Sequence, residues 1–239
     1  MTRNIDVGTV VDKVFKTYQQ YFAVLVSIAA ILFLIEAAVR LIAGDRPVLG
    51  LIATIVGLIV SQLYTGAVVE LVNDTRDGRL DASIGGLFSK VTPVLATLIG
   101  AAIIAGIAIF FGFVACILPG IALLTLWSVV APAIVVERLG VFDALGRSWN
   151  LVKTNFWQTL GVIVIFWIIT FVVTGLISYI LRDGSLVIVV AIAWIVHFLL
   201  APLAALASSI LYFELRAAEE GAPEPPTPGP TSTWGPQAS

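Results

Sequence analysis

From Val91 to Val136 the chain runs 46 residues without a charged side chain. A helix needs about 20 apolar residues to cross about 30 Å of hydrocarbon. The run is therefore too long for one crossing and right for two. Lipid offers no hydrogen bonds, so a backbone can cross it only as helices or as a closed barrel. Barrel strands would be shorter and would alternate apolar with polar residues. The run does neither, so it predicts two helices. Pro119-Gly120 divides it and is a turn signal. The third span is then about Leu95–Leu118 and the fourth about Ile121–Val136. The fourth is short, and a re-entrant hairpin stays open as the alternative.

The same reading extends to the rest of the chain. Phe22–Leu41, Leu49–Val72, Phe156–Leu181 and Leu186–Phe213 are each long and apolar enough to span. The fold class is all-α: a polytopic membrane bundle of six spans. Residues 1–216 form the membrane domain. Residues 217–239 hold Pro223, Pro225, Pro226, Pro228, Pro230 and Pro236 and read as a disordered cytoplasmic tail. Apolar residues make up 59% of the chain and charged residues 12%. Those shares exclude a soluble enzyme and a disordered protein. A net charge of −2 leaves no nucleic-acid footprint. Asp6, Asp12, Lys13, Lys16, Gln19 and Gln20 interrupt the N-terminal segment, so no signal-peptide core precedes Phe22.

Lys and Arg set the orientation. Arg3, Lys13, Lys16, Arg76, Arg79, Lys90, Arg138, Arg147, Lys153 and Arg216 fall on one side of the six spans. Only Arg40, Arg46 and Arg182 fall on the other. The positive-inside rule then places both termini in the cytoplasm.

Ahead of each odd-numbered span lies an amphipathic segment. Thr9, Asp81 and Asp143 are the expected N-caps. In the third segment Phe142, Leu145, Trp149, Val152 and Phe156 share one helical face, and Asp143, Arg147, Asn150 and Lys153 the other. The first sets Val7, Val10, Val11, Val14 and Tyr18 against Asp12, Lys13, Lys16 and Gln20. The middle copy is weaker, because Gly85, Gly86 and Pro93 lower helix propensity. Each is expected to lie in the membrane interface. The expected unit is interfacial helix, span, span, in a pseudo-threefold repeat over about 6–72, 80–137 and 141–215.

Each even-numbered span ends on a glutamate: Glu70, Glu137 and Glu214. A carboxylate at a helix C-terminus faces the negative end of the dipole. Each should therefore have a cation beside it. Lys13, Lys16, Lys90, Arg147 and Lys153 are the candidates, in an interfacial clamp holding the amphipathic helices to the bundle. Solvated interface charges are the plainer alternative.

Residues 117–163 read ILPGIALLTLWSVVAPAIVVERLGVFDALGRSWNLVKTNFWQTLGVI. This stretch resembles the glycerophosphoryl diester phosphodiesterase membrane-domain family of bacterial and archaeal membrane proteins. In some of its members the region precedes a soluble phosphodiesterase barrel. The resemblance implies the multi-span topology, a prokaryotic cytoplasmic membrane and an accessory role. No barrel follows span six here, so it carries over no catalytic residue.

Motifs for chemistry are sparse. No HExxH, GxSxG or P-loop is present. A single histidine excludes a metal site built on two His ligands. The loop bearing Asp74, Asp77 and Asp81 lacks a second acid pair on the following helix and reads as solvated. Cys116, in an apolar run, reads as a packed, unreactive thiol. The expectation is no enzyme, no cofactor and no metal. Polar groups inside spans are the remaining candidates. Glu36 and Arg40 are four apart on span one and can pair. Gln62 on span two and His197 near the middle of span six complete the set. Ala53, Gly57, Ser61 and Thr65 form a small-residue stripe for helix packing.

Two functions follow from these residues. One is a non-catalytic accessory or organising protein whose partners are the bilayer and a membrane or envelope protein. The other is a small-molecule or ion transporter using the polar residues of spans one, two and six.

Overall fold

The computed structural model describes residues 5–44, 46–76, 83–182 and 186–221, apart from the side chains at 186–191, 193 and 197. Ten α-helices and one 3₁₀ turn account for nearly all of them, and no strand occurs among the described residues. The helices are α1 (Val7–Gln20), α2 (Phe22–Ala43), α3 (Pro47–Asp74), α4 (Ile84–Val91), α5 (Leu95–Ala115), α6 (Ile117–Leu126), α7 (Val130–Glu137), α8 (Val141–Lys153), α9 (Phe156–Ile180) and α10 (Leu186–Glu220). The 3₁₀ turn, Thr92–Val94, joins α4 to α5. Six stretches are long and apolar enough to cross a membrane: α2, α3, α4–α5, α6–α7, α9 and α10 from Trp194. The chain is an integral, multi-pass membrane protein with an all-α bundle.

Helices α1 and α8 begin where their apolar periodicity begins, but their caps differ from expectation. Asp6, not Thr9, caps α1, and its carboxylate accepts from the Thr9 amide at 2.8 Å and the Thr9 hydroxyl at 2.7 Å. Thr9 is the donor because a cap side chain reaches the amide three residues on. Those bonds, the hydroxyl first, hold the Asp6 carboxyl below its usual range. The cap therefore persists at neutral pH and weakens only when acid protonates Asp6. Ser83 caps α4 through the Gly86 amide. The expected cap Asp81 lies outside the described residues. Gly140 is the cap of α8, and Asp143 sits in its first turn.

The long uncharged run turns at Cys116, not at Pro119-Gly120. Cys116 is fully extended between α5 and α6. Pro119 sits in the first turn of α6, where no helical partner awaits its missing N–H. Gly120 serves close packing. A Cβ there would collide with the Phe113 ring, and a Cβ at Gly112 would lie 3.1 Å from the Gly120 backbone. Small residues bring two backbones together where dispersion must hold helices in lipid. The sole cysteine is thus exposed at a turn, contrary to the packed thiol expected.

The fourth crossing breaks between α6 and α7 at Trp127–Val129. Pro132 is the third residue of α7, so it starts a helix and does not kink one. Pro202 lies inside α10. That helix runs on to Glu220, where a tail was expected from 217. Ala218 is buried, Arg216 pairs with Glu220 at 2.7 Å, and Gly221 at φ +64° ends the helix. The Pro-rich residues beyond lie outside the described residues.

The core sits at one end of the bundle. Leu25 to Phe33 of α2, Tyr64 to Val72 of α3, Thr159 to Phe166 of α9 and Leu203 to Leu215 of α10 supply about half of it, and Val130 to Val135 of α7 add to it. Val10 and Val14 of α1, Leu87 of α4, and Ala144, Leu145, Leu151 and Val152 of α8 close over it. The interfacial helices therefore lie on the end where the spans are packed. Leu145 and Val152 turn inward as expected, whereas Phe142 and Trp149 remain exposed at 75% and 43%.

The close approach at Gly112 gives a direct test. Gly112→Leu is expected to lower the stability of the detergent-solubilised chain by about 1–3 kcal/mol through overpacking. Gly106→Leu, on the same helix with nothing within 4 Å of its Cβ position, should change it by less than about 0.5 kcal/mol. Thermal unfolding of the two variants checks this.

Candidate functional site

Glu137 ends α7, whereas Glu70 and Glu214 lie short of their helix ends, since α3 runs on to Asp74 and α10 to Glu220. Each of the three accepts a hydrogen bond from a cation on one of the short amphipathic helices. Lys90 of α4 reaches Glu70 at 2.9 Å. The Arg147 guanidinium of α8 reaches both oxygens of Glu137, at 3.0 and 3.1 Å. Lys13 of α1 reaches Glu214 at 2.8 Å. The order is directional. The first two glutamates hold the next interfacial helix along the chain, and Glu214 holds the first, 201 residues back in sequence.

The register of the cations is shared. Counting from the N-caps Asp6, Ser83 and Gly140, each cation is the seventh residue on. Seven residues are two helical turns, so cation and cap share one face. Counting from Thr9, Asp81 and Asp143 hides this, since the cations then stand four, nine and four residues on. The signal in the sequence was Ser83 followed by a basic residue at the same offset.

Desolvation gives these pairs their weight. Glu70 is 4% exposed, and Lys90 also reaches Asp74 at 3.4 Å. Glu137 accepts a third bond, from the buried Tyr212 hydroxyl, at 2.5 Å. Arg147 also donates to Glu219 of α10. Its bonds to Glu219, then Glu137, hold the guanidinium proton more firmly than usual, against the opposing effect of burial. Tyr212 and Glu219 went unseen in the sequence because they meet Glu137 and Arg147 from α10, a distant segment.

Two expected partners lie elsewhere. Lys153 donates to the Asn150 amide oxygen at 2.7 Å, because it sits six residues beyond Arg147 at the other end of α8. Lys16 pairs with Asp12 on the open face of α1 at 2.6 Å.

Two further links close the surroundings. Arg138 ends α7 in the left-handed region, φ 56°, where glycine is usual. Its guanidinium donates to the Lys90 carbonyl at 2.7 Å, capping the end of α4. Arg76 lies over the Phe213 ring, 4.6 Å from its centroid.

On α2 Glu36 and Arg40 pair at 2.9 Å, with Glu36 half-buried and Arg40 exposed. Gly57 makes room for them, since a Cβ there would stand 2.8 Å from the Glu36 carboxylate. Gln62 does not join them. It lies about 140° around α3 from Gly57 at 100° per residue. The His197 side chain lies outside the described residues. Among the described residues no three His, Cys, Asp or Glu side chains come together in a way that could hold a metal ion.

The break between α6 and α7 leaves carbonyls that a transporter could use for ions. Side chains of this protein already occupy two of them. Ser148 of α8 donates to Leu126 at 2.7 Å, and Ser208 of α10 to Ser128 at 2.7 Å. Near Pro202 the Tyr18 hydroxyl of α1 donates to the Leu199 carbonyl at 3.0 Å.

Comparison with protein families, curated proteins and solved structures finds no match.

The pairing is testable by reversal. Lys13→Glu or Glu214→Lys alone should destabilise the chain in detergent. The double reversal should recover most of the loss, with a coupling of about 0.5–3 kcal/mol. A double variant no more stable than the worse single would show that the two charges do not support each other.

Proposed function

We propose that this chain is a non-catalytic accessory or organising protein of a prokaryotic cytoplasmic membrane, with both termini in the cytoplasm. It is built as three units of interfacial helix, span and span, closed into a ring by Glu70–Lys90, Glu137–Arg147 and Glu214–Lys13. The observation that carries this reading is that its charged groups at the bundle's end are engaged with one another, although the buried hydroxyls of Tyr64, Ser128 and Thr159 have no hydrogen-bond partner. The three glutamates hold interfacial helices, and Glu36 holds Arg40. The Ser148 and Ser208 hydroxyls hold backbone carbonyls at the α6–α7 break. Such groups brace a frame. What the frame presents outward is apolar and aromatic: Phe110, Phe111, Trp157, Trp167 and Phe171 are among the exposed side chains.

The resemblance over residues 117–163 supports the same role, because the likeness is to the membrane part of that family alone. Ten of the thirteen basic residues fall on the side of the interfacial helices, which supports the orientation.

The chain carries its own orientation probe. Cys116 is its only cysteine and is exposed at the turn farthest from the termini along that hairpin. A membrane-impermeant maleimide should label Cys116 on intact cells. An Arg46→Cys variant in a Cys116→Ser background, probing the α2–α3 turn, should label likewise. Labelling of Arg46→Cys only after permeabilisation would invert the topology.

The role itself is tested by purifying the tagged chain in mild detergent and identifying bound proteins and lipids by mass spectrometry. A stoichiometric membrane or envelope protein is the expected result. Recovery of the chain with a retained small solute and no protein would overturn the accessory role in favour of transport.

A further inference from the structure

The three interfacial helices share a register but differ on their outer faces. At nine residues past the cap α1 carries Phe15, 36% exposed, whose ring stands against Phe166 with centroids 6.1 Å apart. At the same offset α8 carries Trp149, exposed at 43%. At two past the cap α1 has Gly8 and α8 has Phe142, exposed at 75%. At thirteen past the cap α1 has Gln19 and α8 has Lys153, both exposed. Phe142, Gly146, Trp149 and Lys153 follow three- and four-residue spacing, so Lys153, expected on the opposite face with Arg147, falls in one stripe with the two aromatics along α8. The opposite side of the helix buries Ala144, Leu145, Ser148, Leu151 and Val152.

The charge on this stripe is unlike that of the clamp. Arg147 is matched by two carboxylates. The partner that Lys153 has among the described residues is a neutral amide, that of Asn150. Asp143, the acid on α8 itself, lies ten residues away, about 15 Å along the axis. Lys153 is in the last turn of α8, where the helix dipole favours a cation. An indole N–H and an ammonium one helical turn apart offer two donors to a phosphate, with an aromatic face below them for the glycerol and upper acyl region.

We infer that the Phe142–Trp149–Lys153 face of α8 is a binding site for the headgroup of an anionic phospholipid. The inference rests on reading α8 as an interfacial helix. It does not depend on which leaflet α8 faces or on any protein partner.

The test uses the full-length chain in symmetric vesicles of equal phosphatidylcholine and phosphatidylglycerol. The chain is extracted in mild detergent, and the retained lipids are counted by mass spectrometry. The wild-type chain should retain the anionic lipid in preference. Lys153→Gln should lower that preference about fivefold, the weight of one basic side chain near an anionic surface. Trp149→Ala should lower it in the same direction. Lys16→Gln, an exposed cation of α1 outside the stripe, should leave it unchanged. Far-UV helicity and gel filtration confirm that each variant is folded. Equal retention of the two lipids by the wild-type chain, or a preference that survives Lys153→Gln, would overturn the site. Because the vesicles have identical leaflets, such a failure leaves the orientation and accessory role untouched.

Discussion

A backbone crossing hydrocarbon must satisfy every amide and carbonyl from within the protein, and the architecture depends on how it does so. Where helices are continuous, the helical ladder suffices. Where they are not, side chains must stand in. The α6–α7 break is the clearest case. Ser148 comes from α8 and Ser208 from α10, and each donates to a carbonyl that no amide of its own segment takes. The break therefore pins two other helices to its position. Tyr18 also ties α1 to α10 near Pro202, donating to the Leu199 carbonyl. Irregular backbone in this bundle is a joint between helices.

The charged pairs obey the same constraint at the bundle's end. A buried glutamate is opposed by desolvation, and Glu137, on the last turn of α7, by the helix dipole as well. Such a glutamate is retained where a cation and further donors meet it. Glu137, with two bonds from Arg147 and one from Tyr212, has all three donations in place. Apolar packing alone would hold α1, α4 and α8 against the spans but would set their rotation loosely. A charge at one position on each helix fixes which residue faces inward, and with it which face is left outside.

The crossings were legible because hydrophobic length is a one-dimensional property. The long uncharged run, the six spans and the interfacial helices follow from residue order alone. Glu137 was legible as a dipole conflict needing a cation, whereas Glu70 and Glu214 meet their cations inside helices that run on to Asp74 and Glu220. Which cation answered was less legible, because Lys13, Lys16, Lys90, Arg147 and Lys153 have the same chemistry and differ in rotation about a helix. The caps decide that rotation, and Thr9 and Asp143 drew attention away from Asp6 and Gly140. Pro119-Gly120 misled for a related reason. Proline and glycine mark turns, yet the same pair suits the first turn of a helix that packs tightly on its neighbour. Tyr212, Glu219 and Ser208 carried no local signal at all. They act on segments more than seventy residues away, and only the folded bundle joins them.

Arg138 shows how these demands combine in one residue. Glycine would relieve the left-handed backbone at the end of α7. Arginine there costs about 1–2 kcal/mol of backbone strain. Its guanidinium reaches back 48 residues to an end carbonyl of α4, the helix whose Lys90 holds Glu70. The adjacent Glu137 meanwhile binds α8 forward along the chain. Two neighbouring residues thus tie α7 to the interfacial helices on either side of it. A glycine at 138 would ease the turn and release one of those ties. The strain is tolerated because a free carbonyl at the end of α4, close to the bilayer, would need another donor.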